Sequence, residues 1–129
     1  MADYLLDTTV IIDCLRGKRG RTELLKKLAS EGSTLGCCLV NIIEVLTGMR
    51  KGEEGKTLDL LRTLEYFEVT RQVAELAGDY RREYRQKGIT LSLADAVIAA
   101  VAVFYGLVLL TDNEKHYPMP EIKLQSLGS

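Results

Sequence analysis

The sequence predicts an α/β fold in which helices cover both faces of a parallel β-sheet. Short apolar segments alternate along the chain with longer segments of helical periodicity. Two short segments, YLL at 4–6 and LVLL at 107–110, contain no alternating polar residues, so both of their faces are expected to be buried. The length of 129 residues fits one domain over 1–129, and no repeat or linker divides it.

The first half of the chain predicts two strands and four helices. The strands are apolar runs, and the helices carry apolar residues at helical spacing, as Val10, Ile11 and Cys14 do in the first. Gly17 and Gly32 are expected to end the first two helices. The expected strands cover 4–7 and 34–40, and the expected helices cover 8–17, 18–31, 41–50 and 56–64.

The second half predicts three strands and two helices. The segment FEVT is read as a short strand, and a charged helix follows with Val73, Ala77 and Tyr80 facing inward. The next helix and strand form an apolar stretch that is too short to span a bilayer. The expected strands cover 67–70, 107–111 and 122–127, and the expected helices cover 71–87 and 92–105.

Composition excludes several classes of protein. Seventeen basic and eighteen acidic residues exclude a strongly basic nucleic-acid coat, although not a local basic patch. One histidine and three cysteines exclude most zinc sites. The odd cysteine count indicates a reducing compartment, and the first residues lack the basic region of a signal peptide. We therefore expect a soluble, cytoplasmic protein without a membrane span.

Four carboxylates are expected at one edge of the sheet. Asp7 ends the first strand, Asp112 follows the fourth, and Glu44 and Asp95 lie in first turns of helices that begin at that edge. Clustered carboxylates repel one another, and Mg²⁺ or Mn²⁺ would remove that repulsion through oxygen ligands. Because such an ion activates water and binds phosphoryl oxygens, the pattern indicates a metal-dependent nuclease.

Each carboxylate also has a purely structural interpretation. Ser92 and Asp95 have the spacing of a helix capping box, and Asp7 is placed to cap the first helix. Glu44 lies at a comparable capping distance from Asn41, and Asp112 is typical of a turn.

Four segments in order resemble the motifs of PIN-domain proteins. They are YLLDTTVIID, VNIIEVLTG, LSLADAVIAAVA and LVLLTDNEKHY, and together they cover almost the whole chain. The resemblance implies a Rossmann-like α/β/α sandwich with a central, mostly parallel sheet. At this length the chain looks most like the VapC toxins of prokaryotic toxin–antitoxin pairs. That likeness implies a Mg²⁺- or Mn²⁺-dependent endoribonuclease, a homodimer, and a VapB-like antitoxin that blocks the site.

The resemblance also assigns roles to residues. Metal ligands are expected at Asp7, Glu44 and Asp95, and hydrogen-bonding supports at Thr9 and Thr111. For the fourth ligand, Asp112 and Asn113 both remain open, because relatives place the acidic residue two positions after the threonine. The residues expected to be catalytic are the four carboxylates Asp7, Glu44, Asp95 and Asp112.

Two other functions fit parts of the sequence. A PIN-like module that binds RNA or protein without cleavage is the main alternative, and the segment TDN is its support. Phosphoryl transfer through Asp7 is disfavoured, since the chain lacks a D-x-D pair there and a lysine after the last buried strand. Basic residues gather at 16–27 and 81–87, where they either hold RNA phosphates or form solvated helix faces.

Overall fold

The computed structural model describes residues 3–127. That part of the chain contains five strands, six α-helices and a 3₁₀ turn at Glu114–His116. The strands are β1 (Asp3–Leu6), β2 (Thr34–Cys37), β3 (Glu65–Tyr66), β4 (Val108–Thr111) and β5 (Lys123–Ser126). The helices are α1 (Thr8–Leu15), α2 (Arg21–Ser30), α3 (Leu39–Thr47), α4 (Glu54–Thr63), α5 (Arg71–Gln86) and α6 (Leu93–Tyr105).

All five strands are parallel, in the order β3-β2-β1-β4-β5, which confirms the expected parallel sheet. Leu5 of the central strand lies opposite Gly36 of β2 and Leu109 of β4. The chain builds β2 and β3 on one side of β1 and then crosses to place β4 on the other side. The strand order therefore reverses between β1 and β4, which is where parallel sheets form their ligand-binding crevice.

Apolar side chains from both faces of the sheet are buried, as the unbroken apolar strands predict. Leu5 and Leu109 belong to a core that contains residues of α5 and α6. Leu6 and Leu110 belong to a second core that contains residues of α1, α2, α3 and α4. The four leucines have no exposed surface, so the sheet is the middle layer of an α/β/α sandwich.

The strand expected at 67–70 is wrong, because β3 lies at Glu65–Tyr66. The backbone N–H of Phe67 still donates to the Cys37 carbonyl at 2.8 Å. Its ring lies over Gly36, where a β-carbon would overlap it. The aromatic residue thus covers the end of the sheet, although the pattern of FEVT predicts an extension of it.

The apolar run CCLV conceals the start of α3. The sequence predicts a strand through residue 40, whereas β2 ends at Cys37 and α3 begins at Leu39. Cys38 is the extended N-cap residue, and its N–H donates to the Asn41 side chain at 2.8 Å. The second helix also begins later than expected, at Arg21, because Gly20 before it adopts a left-handed conformation with φ of 69°.

Three further features bear on the sequence-based expectations. Within residues 3–127, each helix is too short or too polar to serve as a membrane span. Cys14, Cys37 and Cys38 are free thiols. The single domain over 1–129 stays a prediction, since residues 1–2 and 128–129 lie outside the described chain.

Candidate active site

Asp7 lies at the carboxyl end of β1, beside the point where the strand order reverses. Its side chain is buried, and Oδ1 accepts the Thr8 backbone N–H at 2.9 Å, which caps α1. Oδ2 accepts the Thr111 hydroxyl at 2.6 Å and the Tyr117 hydroxyl at 3.1 Å. Three donors from three segments therefore hold this carboxylate in one orientation.

Asp95 faces the same tyrosine from the first turn of α6. Ser92 caps the helix by accepting the Asp95 backbone N–H at 3.0 Å, and Asp95 Oδ1 lies 3.4 Å from the Tyr117 hydroxyl. Tyr117 is only 2% exposed, and burial, together with the charges of Asp7 and Asp95, raises the pKa of its hydroxyl far above the usual range. The two carboxylates thus lie on either side of one buried hydroxyl group that keeps its proton.

Glu44 is linked to this pair through Thr8. The Thr8 hydroxyl donates to Glu44 Oε1 at 2.7 Å and accepts the Asn41 amide at 3.1 Å. The same amide donates to the Leu6 carbonyl at 3.1 Å, and Asn41 is completely buried. These contacts fasten the start of α3 to the end of β1, and Glu44 remains exposed to solvent at the rim.

Asp112 is paired with two arginines. Its Oδ1 pairs with Arg21 Nη2 at 2.6 Å, and its Oδ2 pairs with Arg19 Nη1 at 3.2 Å. The side chains of Asp112 and Arg21 are each 7% exposed, so the ion pair is nearly buried. Both carboxylate oxygens of Asp112 therefore face arginines near the start of α2, and the expected convergence of the four carboxylates stays a prediction.

The other predicted site residues differ in their burial and in the contacts that they make. Thr111 is buried against Asp7, as expected of a support, and its oxygen also accepts the Asn113 backbone N–H at 2.9 Å. Thr9 is exposed, and the neighbouring Thr8 makes the buried contacts instead. His116 is half exposed, and its Nδ1 lies 3.3 Å from Asp95 Oδ2.

Sequence analysis missed the polar residues that organise the site. They are Thr8, Arg21, Asn41 and Tyr117. The aromatic at the end of LVLLTDNEKHY was a usable signal, because a tyrosine there adds a hydroxyl group that phenylalanine lacks. The pair of Arg21 with Asp112 spans 91 positions and leaves no local pattern.

The residue types suit a hard divalent cation. Within residues 3–127, no three acidic, histidine or cysteine side chains already surround one point. Asp7 and Asp95 nevertheless meet at one hydroxyl, and Mg²⁺ commonly binds one or two carboxylates while it keeps several waters. Burial, with a smaller effect of Cys38, raises the pKa of the Cys37 thiol to about 11, so this thiol is protonated at neutral pH.

Comparison with known proteins gives consistent matches along the chain. The PIN-domain family model matches residues 4–121. Ribonuclease VapC10 of Mycobacterium tuberculosis is 34% identical over 117 residues, which is 91% of this chain and 87% of the relative. A toxin–antitoxin complex from Klebsiella pneumoniae contains a chain with 29% identity and a TM-score of 0.76, covering 92% of this chain and 94% of that one. VapBC2 from Rickettsia felis, bound to a promoter DNA fragment, has 24% identity and a TM-score of 0.83, covering 96% and 98%.

Proposed function

Because this chain belongs to the PIN-domain family, we propose that it is a VapC-type endoribonuclease, the toxin of a toxin–antitoxin pair. It hydrolyses RNA phosphodiester bonds with the help of Mg²⁺ or Mn²⁺. The observation that carries the proposal is the meeting of Asp7 and Asp95 at Tyr117, where the strand order reverses.

Asp7 and Asp95 would hold the cation, and Glu44 would complete the site from its rim. A bound Mg²⁺ or Mn²⁺ lowers the pKa of water and neutralises charge on the phosphate. Asp112 and Asn113 are both candidates for a further oxygen ligand, and Asp112 also balances the charge of Arg21.

The chain's own residues prepare this chemistry by fixing the carboxylates. Thr111 and the N-terminus of α1 orient Asp7, and Tyr117 keeps its hydroxyl between Asp7 and Asp95. Thr8 restrains Glu44, so the rim carboxylate loses little conformational freedom when RNA arrives.

The partners follow from the same family. We propose a VapB-like antitoxin, supported by the Klebsiella toxin–antitoxin complex, and a homodimer of this chain. Exposed apolar residues on the two helices that bear Glu44 and Asp95 support the dimer. They are Leu39 and Ile43 on α3 and Leu93 on α6.

The decisive experiment compares the chain with an Asp7→Asn variant on mixed RNAs, with Mn²⁺ or with EDTA. Removal of groups that merely orient a metal ligand costs 10–100-fold, so we expect loss of this ligand to lower cleavage by more than about 100-fold. Asp79→Asn is the matched control, because Asp79 is exposed on α5 and pairs only with Arg82 among residues 3–127.

The products and the EDTA reaction separate the alternatives. Hydrolysis by activated water leaves a 3′-hydroxyl, and EDTA should abolish it. Cleavage that persists in Asp7→Asn would refute the role of this carboxylate. RNA binding without cleavage in any metal would support the non-cleaving PIN-like module instead.

A further inference from the structure

The last two turns of α5 present two arginines without counter-charges. Arg81 and Arg85 are exposed and four residues apart, so they share one face of the helix. Among residues 3–127, no carboxylate lies within ion-pairing distance of either one, whereas Arg82 between them pairs with Asp79 at 2.9 Å. Like charges at this spacing disfavour a helix, and a bound anion would remove that repulsion.

These arginines border a cleft. Together with Thr90 and Leu91 they line a space of about 230 Å³. Arg81 Nε donates to the Leu91 carbonyl at 3.1 Å, which holds its guanidinium against the loop between α5 and α6. The guanidinium fork and a threonine hydroxyl are donors that suit the oxygens of a phosphate group.

The cleft adjoins the element that carries Asp95. Leu91 directly precedes Ser92, the N-cap residue of α6, and Asp95 lies in the first turn after it. A helical turn rises only about 5 Å, so the cleft is close to the part of the fold where the carboxylates meet. An RNA strand that extends from those carboxylates over the start of α6 would meet two guanidinium groups that lack a paired carboxylate within residues 3–127.

We infer that Arg81 and Arg85 form a subsite for an RNA backbone phosphate next to the one that is cleaved. This inference rests on the proposed ribonuclease function. It adds to that function the direction in which the bound RNA strand extends from the cleaved bond. The contact is to the backbone, so it raises affinity for RNA of any sequence and does not select the cleaved sequence.

The test measures binding of a short fluorescent single-stranded RNA by anisotropy, in EDTA to prevent cleavage, over a series of KCl concentrations. We expect Arg85→Gln to weaken binding several-fold at low salt. The slope of log K against log salt should also fall in magnitude by about 0.7, the value for one lost phosphate contact on a single strand. Arg82→Gln is the matched control, since it removes the same charge from the same helix, and it should leave both values unchanged.

Other outcomes overturn the inference in distinguishable ways. Equal effects of the two substitutions would indicate a diffuse field without a subsite. A lower melting temperature of Arg85→Gln with unchanged RNA affinity would assign Arg85 to the helix terminus. If Arg85→Gln weakens the binding of a glutamate-rich peptide but not that of RNA, the cleft would be assigned to an acidic protein segment. If the unmodified protein binds no RNA, the proposed function fails as well, whereas RNA binding that is insensitive to Arg85→Gln refutes the subsite alone.

Discussion

The carboxylate of Asp112 is paired with two arginines, Arg19 and Arg21. A residue directly after a buried parallel strand normally faces the crevice, which is the basis of the sequence prediction. Arg21 is itself almost completely buried and needs a negative charge beside it, since a buried guanidinium cannot give up its proton. Asp112 meets this need.

The Arg21–Asp112 pair predicts a stability effect for Asp112→Asn. This change removes the carboxylate that pairs with the buried Arg21 guanidinium, so we expect the free energy of unfolding to fall by about 3–5 kcal/mol. Urea denaturation measures it, with Asp79→Asn as the control, because exposed ion pairs contribute only about 0–1 kcal/mol. A fully stable Asp112→Asn variant that no longer cleaves RNA would instead place Asp112 among the metal ligands.

Tyr117 predicts a metal-dependent effect of Tyr117→Phe, which removes only the hydroxyl. In this variant, and with no metal bound, Asp7 and Asp95 lack the hydroxyl group that lies between them. We expect the free energy of unfolding to fall by about 1.5–3 kcal/mol, the contribution of a hydrogen bond to a charged group. A cation bound to Asp7 and Asp95 would reduce the repulsion between their negative charges. Saturating Mn²⁺ should therefore narrow the difference in melting temperature between the variant and the unmodified chain. An equal difference in EDTA and in Mn²⁺ would show that the hydroxyl serves the fold alone.

Sequence analysis located individual residues where the relevant contacts are local. Asp7 follows a recognisable strand, and the spacing of Ser92 and Asp95 predicts the cap that the structure contains. Thr8 and Thr9 are adjacent and identical in type, so only the helix geometry decides which one is buried. Residues that meet across the fold, such as Tyr117 and Asp7, carry no local signal of their distance.

At the scale of elements, the apolar strands and the α5–α6 pair were predictable because burial dictates their composition. The edge strand β3 was not, since two paired residues leave almost no pattern. Phe67 follows it directly and packs its ring over Gly36 of the neighbouring strand. An aromatic residue in a strand-like segment cannot reveal on its own whether it extends a sheet or covers it.

Alanine substitutions at Gly36 and Gly78 should change the free energy of unfolding in opposite directions. Gly36→Ala forces a methyl group into the Phe67 ring, so we expect a loss of about 1–3 kcal/mol in unfolding free energy. Gly78→Ala lies in the middle of α5 with open space around it, and it should add up to about 1 kcal/mol. Chemical denaturation of the two variants measures both signs, and a harmless Gly36→Ala would contradict the packing described for β3.

For the whole molecule, the exposed apolar residues of α3 and α6 predict self-association. Ile43 is 58% exposed and Leu93 is 65% exposed. Burying a side chain of this size contributes about 1.5–3 kcal/mol, so Ile43→Glu should weaken a dimer at least about tenfold. Light scattering coupled to size exclusion should give twice the protomer mass of 14.4 kDa for the unmodified chain and the single mass for the variant at low concentration.

A matched control comes from the opposite end of α6. Phe104 is also exposed, at 47%, but lies far along the helix from Asp95. Phe104→Glu should therefore leave the measured mass unchanged. A monomeric unmodified protein, or equal dissociation by both substitutions, would contradict a dimer that uses the face of α3.

The separation of Asp7 and Tyr117 along the chain, 110 positions, has a consequence for the order in which their contacts form. Thr8, whose backbone N–H donates to the Asp7 carboxylate, follows Asp7 directly, but Thr111 and Tyr117 are translated more than 100 residues later. The β1–β4 pairing that brings them together must wait for the same residues. The Asp7 carboxylate consequently acquires its full set of hydrogen-bond donors only after β4 and the segment that follows it have joined β1.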